Sequence, residues 1–334
     1  GVLIAEPHQL RDVRLQATQA ALASKAPAVF EGGFQSNGVY VGVDILLREN
    51  GGHTLIETKS SSSVKEEHIP DAGIQAWVLR ETGVAANRVE VMHLNKEYRH
   101  PNQGELFART DVTEEVAAFT PAVPKLLEEF EVVLAGKLPD HEVGSHCFEP
   151  RDCPFLKRCW PDDPNHISTL YNVGPKKLMA YIADGIHSIW DLPPDKKLPE
   201  AAQRQLRALR EDRLIVEPGL AQALEPFESP LGFLDFETVT RAVPVWDGLA
   251  PWGQATAQFS YHEEQPDGTY THVGWLAEGP GDPRRELAEA MLEATKNAKR
   301  IVTYSAFEKT RIAELQRLVP ELAQPLEELL GKLT

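Results

Sequence analysis

A segment rich in proline and cysteine divides the chain into two regions with different sequence patterns. Residues 139–166 contain five prolines and all three cysteines of the 334-residue chain, and their apolar side chains follow neither a helical nor a strand period. Such a segment cannot bury a core of its own, so another interaction has to order it. The chain is therefore predicted to form separate folding units on the two sides of residues 139–166.

Both flanking regions alternate strand patterns with helix patterns. In the first region we expect a helix over 13–24, a hairpin over 27–48, a turn over 49–52, a strand over 53–60, a helix over 71–82, a strand over 89–94 and a helix over 113–136. After a linker at 226–230, we expect strands over 231–236, 255–262, 270–277 and 300–304, with helices over 283–297 and from 307 onward. The predicted fold class is α/β, arranged in several domains.

Composition limits the functions that such a chain can have. The hydrophobic fraction of 42% and the charged fraction of 25% are ordinary for a globular protein, but the net charge is −16. A chain this acidic repels a polyanion, which excludes a simple basic nucleic-acid coat protein but not an enzyme that holds metal ions with carboxylates. The low cysteine content and the lack of a long apolar run predict a cytoplasmic protein with no membrane association.

Three polar residues on two adjacent strands form the first candidate site. Glu57 and Lys59 lie two positions apart on one strand and point to the same face, and Asp44 on the preceding strand can stand opposite them. Two converging carboxylates form an oxygen site for Mg²⁺ or Mn²⁺, and a neighbouring lysine can orient or deprotonate the attacking water. The same spacing also fits a solvated charge pair on an exposed strand, so spacing alone leaves both interpretations open.

The order of these features resembles the RecB-type branch of the PD-(D/E)XK nucleases. An acid in an apolar strand is followed by a turn, by the strand LIETKS and by a helix with the sequence IQAWVL. The resemblance implies a restriction-endonuclease-like domain over residues 1–138 with bound Mg²⁺ or Mn²⁺. It assigns metal binding to Asp44 and Glu57, and catalytic roles to Asp44, Glu57, Lys59 and Gln75. Leu79 occupies the position at which this branch usually has tyrosine.

The three cysteines form a second candidate site within residues 139–166. Cys147, Cys153 and Cys159 are spaced C-x5-C-x5-C, and such close grouping favours a shared ligand. A zinc ion would need a fourth ligand, for which His166 is a candidate, and an iron–sulfur cluster would need a fourth cysteine. RecB/AddB-like nucleases carry a similar group, and this resemblance implies a 4Fe-4S cluster with zinc as the alternative. No cysteine precedes Cys147 in this chain.

Residues 167–225 are predicted to be a helical linker that resembles a helix-hairpin-helix unit. The motif NVGPKK has Asn172 where these units carry their first glycine. Backbone N–H groups at Gly174, together with the side chains of Lys176 and Lys177, would contact a nucleic-acid phosphate. A plain helical linker with a capped turn is the alternative.

The segment GFLDFET begins the last predicted domain, residues 228–334. Asp235 and Glu237 share one strand face, where their mutual repulsion is costly unless cations bind. The segment resembles the first motif of the DEDD exonucleases, an RNase H-like fold in which four carboxylates hold two metal ions. The segment IVTYSAFEKTRIAEL resembles the second motif of these enzymes. This resemblance assigns the role of the third metal-binding acid to Glu308. The third motif would follow Thr334, so we expect an incomplete domain with little activity of its own; solvated acids at a strand end are the alternative.

Together, the four features resemble an uncharacterised bacterial domain family that couples a RecB-like nuclease module to an exonuclease-like module. We expect the chain to be a fragment that is truncated at both ends. The resemblance implies a metal-dependent nuclease for single-stranded DNA or DNA ends, in repair, recombination or defence. A noncatalytic DNA-binding or assembly protein with a structural metal site, and an RNA-directed exonuclease, are the alternatives.

Overall fold

The computed structural model describes residues 1–49, 51–84, 86–138 and 141–334. Its buried apolar side chains form three clusters, which draw on residues 4–127, 167–206 and 234–333. The structure is mixed α/β, as expected from the sequence, and its separate cores are compatible with several domains. Across the described ranges, no helix combines the length and the apolar character needed to cross a membrane.

The N-terminal region is built on a six-stranded mixed sheet. Its elements are β1 (Val2–Leu3), α1 (Arg11–Ala23), β2 (Ala28–Ser36), β3 (Val39–Glu49), β4 (Gly52–Lys59), α2 (His68–Glu81), β5 (Ala86–Leu94), β6 (Phe107–Asp111), α3 (Thr113–Phe119) and α4 (Val123–Ala135). The strand order is β1-β2-β3-β4-β5-β6. The β1–β2 and β4–β5 pairs are parallel, and the other pairs are antiparallel.

Helix α2 covers the centre of this sheet. Its buried side chains, which include Trp77, Val78 and Leu79, belong to the same core cluster as Leu46 of β3 and Leu55 of β4. Because β4 is a central strand beside a parallel neighbour, both of its faces are buried along the middle of the strand. This packing holds the start of α2 close to the end of β4.

Some sequence expectations differ from the structure at element ends. The helix expected over 113–136 is interrupted by a 3-10 turn at Thr120–Ala122, since Pro121 and Pro124 cannot donate a backbone hydrogen bond within a continuous helix. The short strands β1 and β6 were not expected. The turn expected over 49–52 includes Asn50, which lies outside the described residues, as do Pro139 and Asp140 of the cysteine-containing segment.

The middle region has a small core of its own. Its helices are α5 (Leu156–Cys159), α6 (Pro175–Ala183), α7 (Glu200–Glu211) and α8 (Leu220–Leu224), with 3-10 turns at Ser145–Cys147, Ile167–Thr169 and Ile189–Asp191. Ile167, Tyr181 and Ile189 are almost completely buried and contribute to the cluster formed within 167–206. This stretch therefore packs as a unit and not as an extended linker.

The C-terminal region is built on a four-stranded sheet in the order β10-β7-β8-β9. Its elements are β7 (Gly232–Thr240), β8 (Gln254–Glu264), β9 (Tyr270–Leu276), α9 (Arg284–Thr295), β10 (Ile301–Val302), α10 (Ala306–Leu318) and α11 (Ala323–Leu330), with a 3-10 turn at Pro320–Leu322. Strand β10 is shorter than the expected 300–304 and pairs in parallel with β7. Leu234 and Phe236 pack into the core, so Asp235 and Glu237 lie on the opposite, exposed face of β7.

Gly73 is required where α2 meets α3. A Cβ atom at this position would overlap the ring of Phe119. A Gly→Ala change within a helix normally stabilises the protein by about 1 kcal/mol, but we expect Gly73→Ala to lower the free energy of unfolding by about 1–3 kcal/mol because of this overlap. Chemical denaturation measures the change. Part of the loss should be recovered when Gly73→Ala is combined with Phe119→Leu, and a stabilising single substitution would contradict the packing described here.

Candidate active site

The pairing of β3 with β4 brings the first two predicted residues together. The register pairs Ile45 with Ile56, so Asp44 and Glu57 are the next two opposing residues. Asp44 Oδ2 accepts hydrogen bonds from the backbone N–H of Thr58, at 2.7 Å, and from the Thr58 hydroxyl. The carboxylate of Asp44 is therefore held in a defined position at the end of the paired strands.

Glu57 is the centre of the site. Its side chain is buried, with 6% of the residue exposed, and each of its carboxylate oxygens accepts one hydrogen bond. Lys59 Nζ donates to Oε1 and Gln75 Nε2 donates to Oε2, both at 2.6 Å. Burial raises the pKa of Glu57; the hydrogen bonds from Lys59 and Gln75 oppose this effect, and the negative charges of Asp44 and Asp71 add to it. The ionised form of Glu57 is thus disfavoured and would be stabilised by a further cation.

Lys59 lies between two carboxylates. Its Nζ atom donates to Glu57 and also to Asp71 Oδ2 at the start of α2. Burial lowers the pKa of Lys59, but the hydrogen bonds and negative charges of Asp71 and Glu57 outweigh this effect, so the net direction is upward. Lys59 therefore remains an ammonium group at neutral pH.

Asp71 is a site residue that the sequence reasoning missed. It precedes Gln75 by one helical turn, and Gln75 Nε2 also approaches Asp71 Oδ1 at 3.3 Å. The i, i+4 spacing of an acid and an amide on the helix that follows the E-x-K strand was the signal that could have identified it.

The amide oxygen of Gln75 has no hydrogen-bond donor among the described residues. Gln75 is only 5% exposed, and its Oε1 atom is buried. Buried polar atoms are normally paired, so this carbonyl oxygen is an acceptor that the described residues leave unsatisfied. Mg²⁺ prefers oxygen ligands, and it usually retains several waters while binding one or two carboxylates.

The oxygen atoms of this site are of the type that a hard divalent cation binds. In the part of the chain that the structure describes, no three His, Cys, Asp or Glu side chains are grouped closely enough to hold a metal ion. A cation here would therefore depend on Asp44 and Glu57, on the amide oxygen of Gln75 and on water. Two carboxylates and one amide oxygen, completed by water, are a ligand set of the kind that Mg²⁺ uses.

A cavity of about 490 Å³ adjoins the site, and side chains from all three regions contribute to it. Lys59, Lys65 and Asp71 come from the N-terminal region, Arg151 from the cysteine-containing segment and Trp252 from the C-terminal region. The indole Nε1 of Trp252 donates to the carbonyl oxygen of Ser60 at 2.6 Å. Trp252 has a left-handed backbone with a φ of 60° and remains 46% exposed. The C-terminal region therefore forms one wall beside the candidate active site.

The predicted cysteine ligands do not converge among the described residues. Cys147 is buried, Cys153 is half-buried and Cys159 is exposed, and all three are free thiols. His166, the candidate fourth zinc ligand, has Nδ1 hydrogen-bonded to the Ser168 hydroxyl at 2.8 Å. The three thiols belong to no potential metal-binding group within 141–334. The zinc ion or iron–sulfur cluster therefore stays a prediction from the sequence.

The acids of the C-terminal region occupy different environments. Asp235 and Glu308 line one cavity of about 570 Å³, and Glu237 is not among its lining residues. Glu308 is buried at the start of α10, where it forms a capping box with Ser305, and the backbone N–H of Ser305 lies 3.4 Å from Glu308 Oε2. In the described chain, Asp235, Glu237 and Glu308 do not form a group that could hold an ion together. The two-metal site also stays a prediction.

The structure around Asn172 and Gly174 has some features of a helix-hairpin-helix unit and lacks others. Asn172 has a φ of 57°, a conformation that glycine adopts readily, and Gly174 is the N-cap of α6. A 3-10 turn, not an α-helix, precedes the hairpin. Lys177 Nζ donates to the carbonyl oxygen of Lys197 at 3.0 Å, and both Lys176 and Lys177 are exposed.

Comparison with known proteins gives a match in the C-terminal region. A family model described as a domain of unknown function (DUF2779) matches residues 232–334, which extend from β7 to the last residue. No curated protein matches the chain. The C-terminal region is therefore similar to an uncharacterised domain family, and its match covers the segment with the exonuclease-like motifs.

Replacing Glu57 by glutamine tests the burial of its charge. A carboxyl group whose pKa is raised by folding favours its neutral form, so its ionisation at neutral pH costs folding free energy. We expect Glu57→Gln to increase the free energy of unfolding by about 1 kcal/mol in metal-free buffer, because Asp71 remains as the partner of Lys59. The exposed Glu66→Gln substitution is the charge-matched control. Destabilisation by Glu57→Gln would show that the ion pair with Lys59 outweighs the cost of burial.

Proposed function

We propose that this chain is a metal-dependent nuclease that hydrolyses phosphodiester bonds in DNA at the N-terminal site. The observation that carries the proposal is the contact of Glu57 with both Lys59 and Gln75 beside Asp44. The RecB-type resemblance assigns these four residues to one site, and they come from two strands and a helix. The convergence of these four side chains supports a shared chemical role and argues against a solvated charge pair on an exposed strand.

Each residue has a distinct role in the proposed reaction. Asp44, Glu57 and the amide oxygen of Gln75 would hold Mg²⁺ or Mn²⁺. When bound, the ion would polarise a phosphoryl oxygen and lower the pKa of its water. Lys59, which two carboxylates keep charged, orients the attacking water and stabilises negative charge on the phosphate. Asp71 positions Lys59 through their hydrogen bond.

The cavity beside the site favours a single strand or a DNA end as substrate. Lys59, Lys65 and Arg151 bring positive charge to a molecule with a net charge of −16, although Glu67 and Asp71 also line the cavity. The exposed ring of Trp252 offers a flat surface on which an unpaired base can stack. A base in duplex DNA is already stacked between its neighbours and could not use this surface.

For the C-terminal region we favour a supporting role over a second catalytic centre. Glu308 caps a helix, and Asp235 and Glu237 lie on an exposed strand face. The contact of Trp252 with Ser60 joins this region to the N-terminal site. This noncatalytic role applies to the C-terminal region only.

Substitutions at the N-terminal site test the proposed reaction. We expect Asp44→Asn, Glu57→Gln and Lys59→Ala each to reduce Mg²⁺- or Mn²⁺-dependent cleavage by about 100-fold or more. The first two remove charges that would hold the metal ion, and the third removes the ammonium group that acts on the attacking water and the phosphate. Initial rates on end-labelled single-stranded DNA, duplex DNA and RNA measure the effect and identify the preferred polymer.

The control variants locate the activity in one region of the chain. Glu66→Gln should keep wild-type rates, and Asp235→Asn together with Glu237→Gln should also leave cleavage within about twofold if the C-terminal acids are not catalytic. Wild-type cleavage in all three N-terminal variants, with loss of cleavage in the C-terminal double variant, would refute the proposed site.

A separate substitution tests the stacking surface. Trp252→Ala should raise KM for single-stranded DNA by about tenfold and change kcat little, because base stacking contributes about 1–3 kcal/mol of binding and takes no part in the chemistry. Trp252→Phe should restore most of the affinity, since it keeps an aromatic face but cannot donate to Ser60. An equal loss in both variants would assign Trp252 a structural role through its hydrogen bond.

A further inference from the structure

A second cavity, of about 410 Å³, lies between the N-terminal and C-terminal regions and is lined by four arginines. Arg99 comes from the loop that follows β5, Arg284 from the first turn of α9, and Arg311 and Arg317 from α10. Glu314 is the one acidic residue of its lining within the described chain. We call this space the arginine cavity. Its positive charge contrasts with the acidic character of the whole chain.

Two of the four guanidinium groups are buried and have unused donors. Arg284 is 6% exposed and Arg311 is 8% exposed. Arg284 Nη1 and Arg311 Nε are buried nitrogen atoms with no hydrogen-bond partner among the described residues. Leaving a buried, charged donor unpaired is unfavourable, so an anion in the cavity would offset part of the cost of burying these two positive charges.

The remaining donors of these side chains are committed to the protein. Arg284 binds the carboxylate of Asp282 through Nε, at 2.8 Å, and through Nη2, and it also donates to the carbonyl oxygen of Asp247 at 2.8 Å. Arg311 Nη2 donates to Glu314 Oε1 at 2.9 Å, and its guanidinium lies 5.2 Å from the centre of the Phe307 ring. These contacts hold both side chains in place before any ligand binds.

Arg99 and Arg317 add positive charge that no carboxylate neutralises. Arg99 Nη1 donates to the backbone carbonyl oxygens of Lys96 and Tyr98, and Arg317 forms no ion pair in the described chain. Even with Asp282 and Glu314 counted, arginines outnumber acids at the cavity. The excess charge favours an anion with more than one negative charge.

The chemistry of the cavity favours a phosphate group with an apolar or aromatic remainder. A guanidinium group matches the oxygen geometry of phosphate, and several together accommodate its double charge. Leu249, Leu315 and Leu318 form apolar parts of the lining. The volume lies within the range of about 300–1,000 Å³ that is typical of small-molecule sites, so the cavity holds more than an inorganic ion.

We propose that the arginine cavity binds the phosphate of a nucleotide, through Arg99, Arg284, Arg311 and Arg317. The nucleotide is either free or the terminal residue of a nucleic-acid strand, because both present the same phosphate chemistry. The site is separate from Asp44, Glu57 and Lys59, and the proposal does not depend on the nuclease activity.

Isothermal titration of the full chain in metal-free buffer tests the proposal with three probes. These are inorganic pyrophosphate, deoxyadenosine monophosphate and a short single-stranded oligonucleotide with a 5′ phosphate. Arg317→Gln should weaken binding by about tenfold without altering the melting temperature, because Arg317 is exposed and unpaired and each charged hydrogen bond to an anion contributes on that order. Arg311→Gln should weaken binding at least as much. Lys309→Gln removes a positive charge from the same helix outside the cavity and should bind like the wild type.

The outcomes separate the possible ligands from an incorrect proposal. Arginine-dependent binding of the mononucleotide or pyrophosphate supports a free nucleotide, and such binding of the oligonucleotide alone supports a strand end. The absence of saturable binding tighter than about 1 mM for every probe would overturn the proposal. Binding that is unchanged in Arg317→Gln and Arg311→Gln, or equally weakened in Lys309→Gln, would also overturn it.

Discussion

The buried carboxylate of Glu57 requires hydrogen-bond donors and positive charge around it, and the rest of the N-terminal site depends on this requirement. An ionised carboxylate loses most of its hydration when 6% of the residue is exposed, and Lys59 and Gln75 supply the compensating hydrogen bonds. Gln75 reaches Glu57 because α2 covers the centre of the sheet, and Gly73 allows α3 to pack closely against the same helix through Phe119. The apolar core thus positions the polar site. Asp44 and Asp71 add further negative charge near Glu57, which makes a cation the natural complement of the site.

One loop of the C-terminal region contributes to both cavities that we associate with nucleic-acid chemistry. Trp252 contacts Ser60 beside the candidate active site, while Leu249 accepts a hydrogen bond from the backbone N–H of His100 at 3.0 Å and lines the arginine cavity. Gly248 donates back to the carbonyl oxygen of His100 at 2.8 Å. Because the loop bonds to the N-terminal region at these two places, its position connects the two cavities. A strand bound at one of them would pass close to residues of the same loop.

Local sequence patterns predicted much of the fold, but they could not predict contacts between residues far apart in the chain. Alternation of apolar residues predicted β3 and β4, and the E-x-K spacing selected Glu57 and Lys59. Asp71 was also accessible from its spacing to Gln75, although the nuclease resemblance assigns only an amide to this helix. Trp252 is different, since its contact with Ser60 joins residues 192 positions apart. No periodicity or motif encodes a contact of that separation. The arginine cavity combines residues of three distant segments for the same reason.

Glu308 shows how one residue pattern serves two competing interpretations. The sequence Ser-x-x-Glu at 305–308 is a capping box. It also matches the second exonuclease motif, which has an acid on the helix that follows a strand. The carboxylate of Glu308 interacts with the backbone at the start of α10, where the helix dipole favours negative charge. Its charge is therefore partly compensated without a metal ion. Glu57 differs because the hydrogen bonds from Lys59 and Gln75 do not fully offset the burial of its carboxylate. The negative charges of two neighbouring carboxylates raise its pKa further. This difference between Glu57 and Glu308 is the reason that we propose a cation at the N-terminal site.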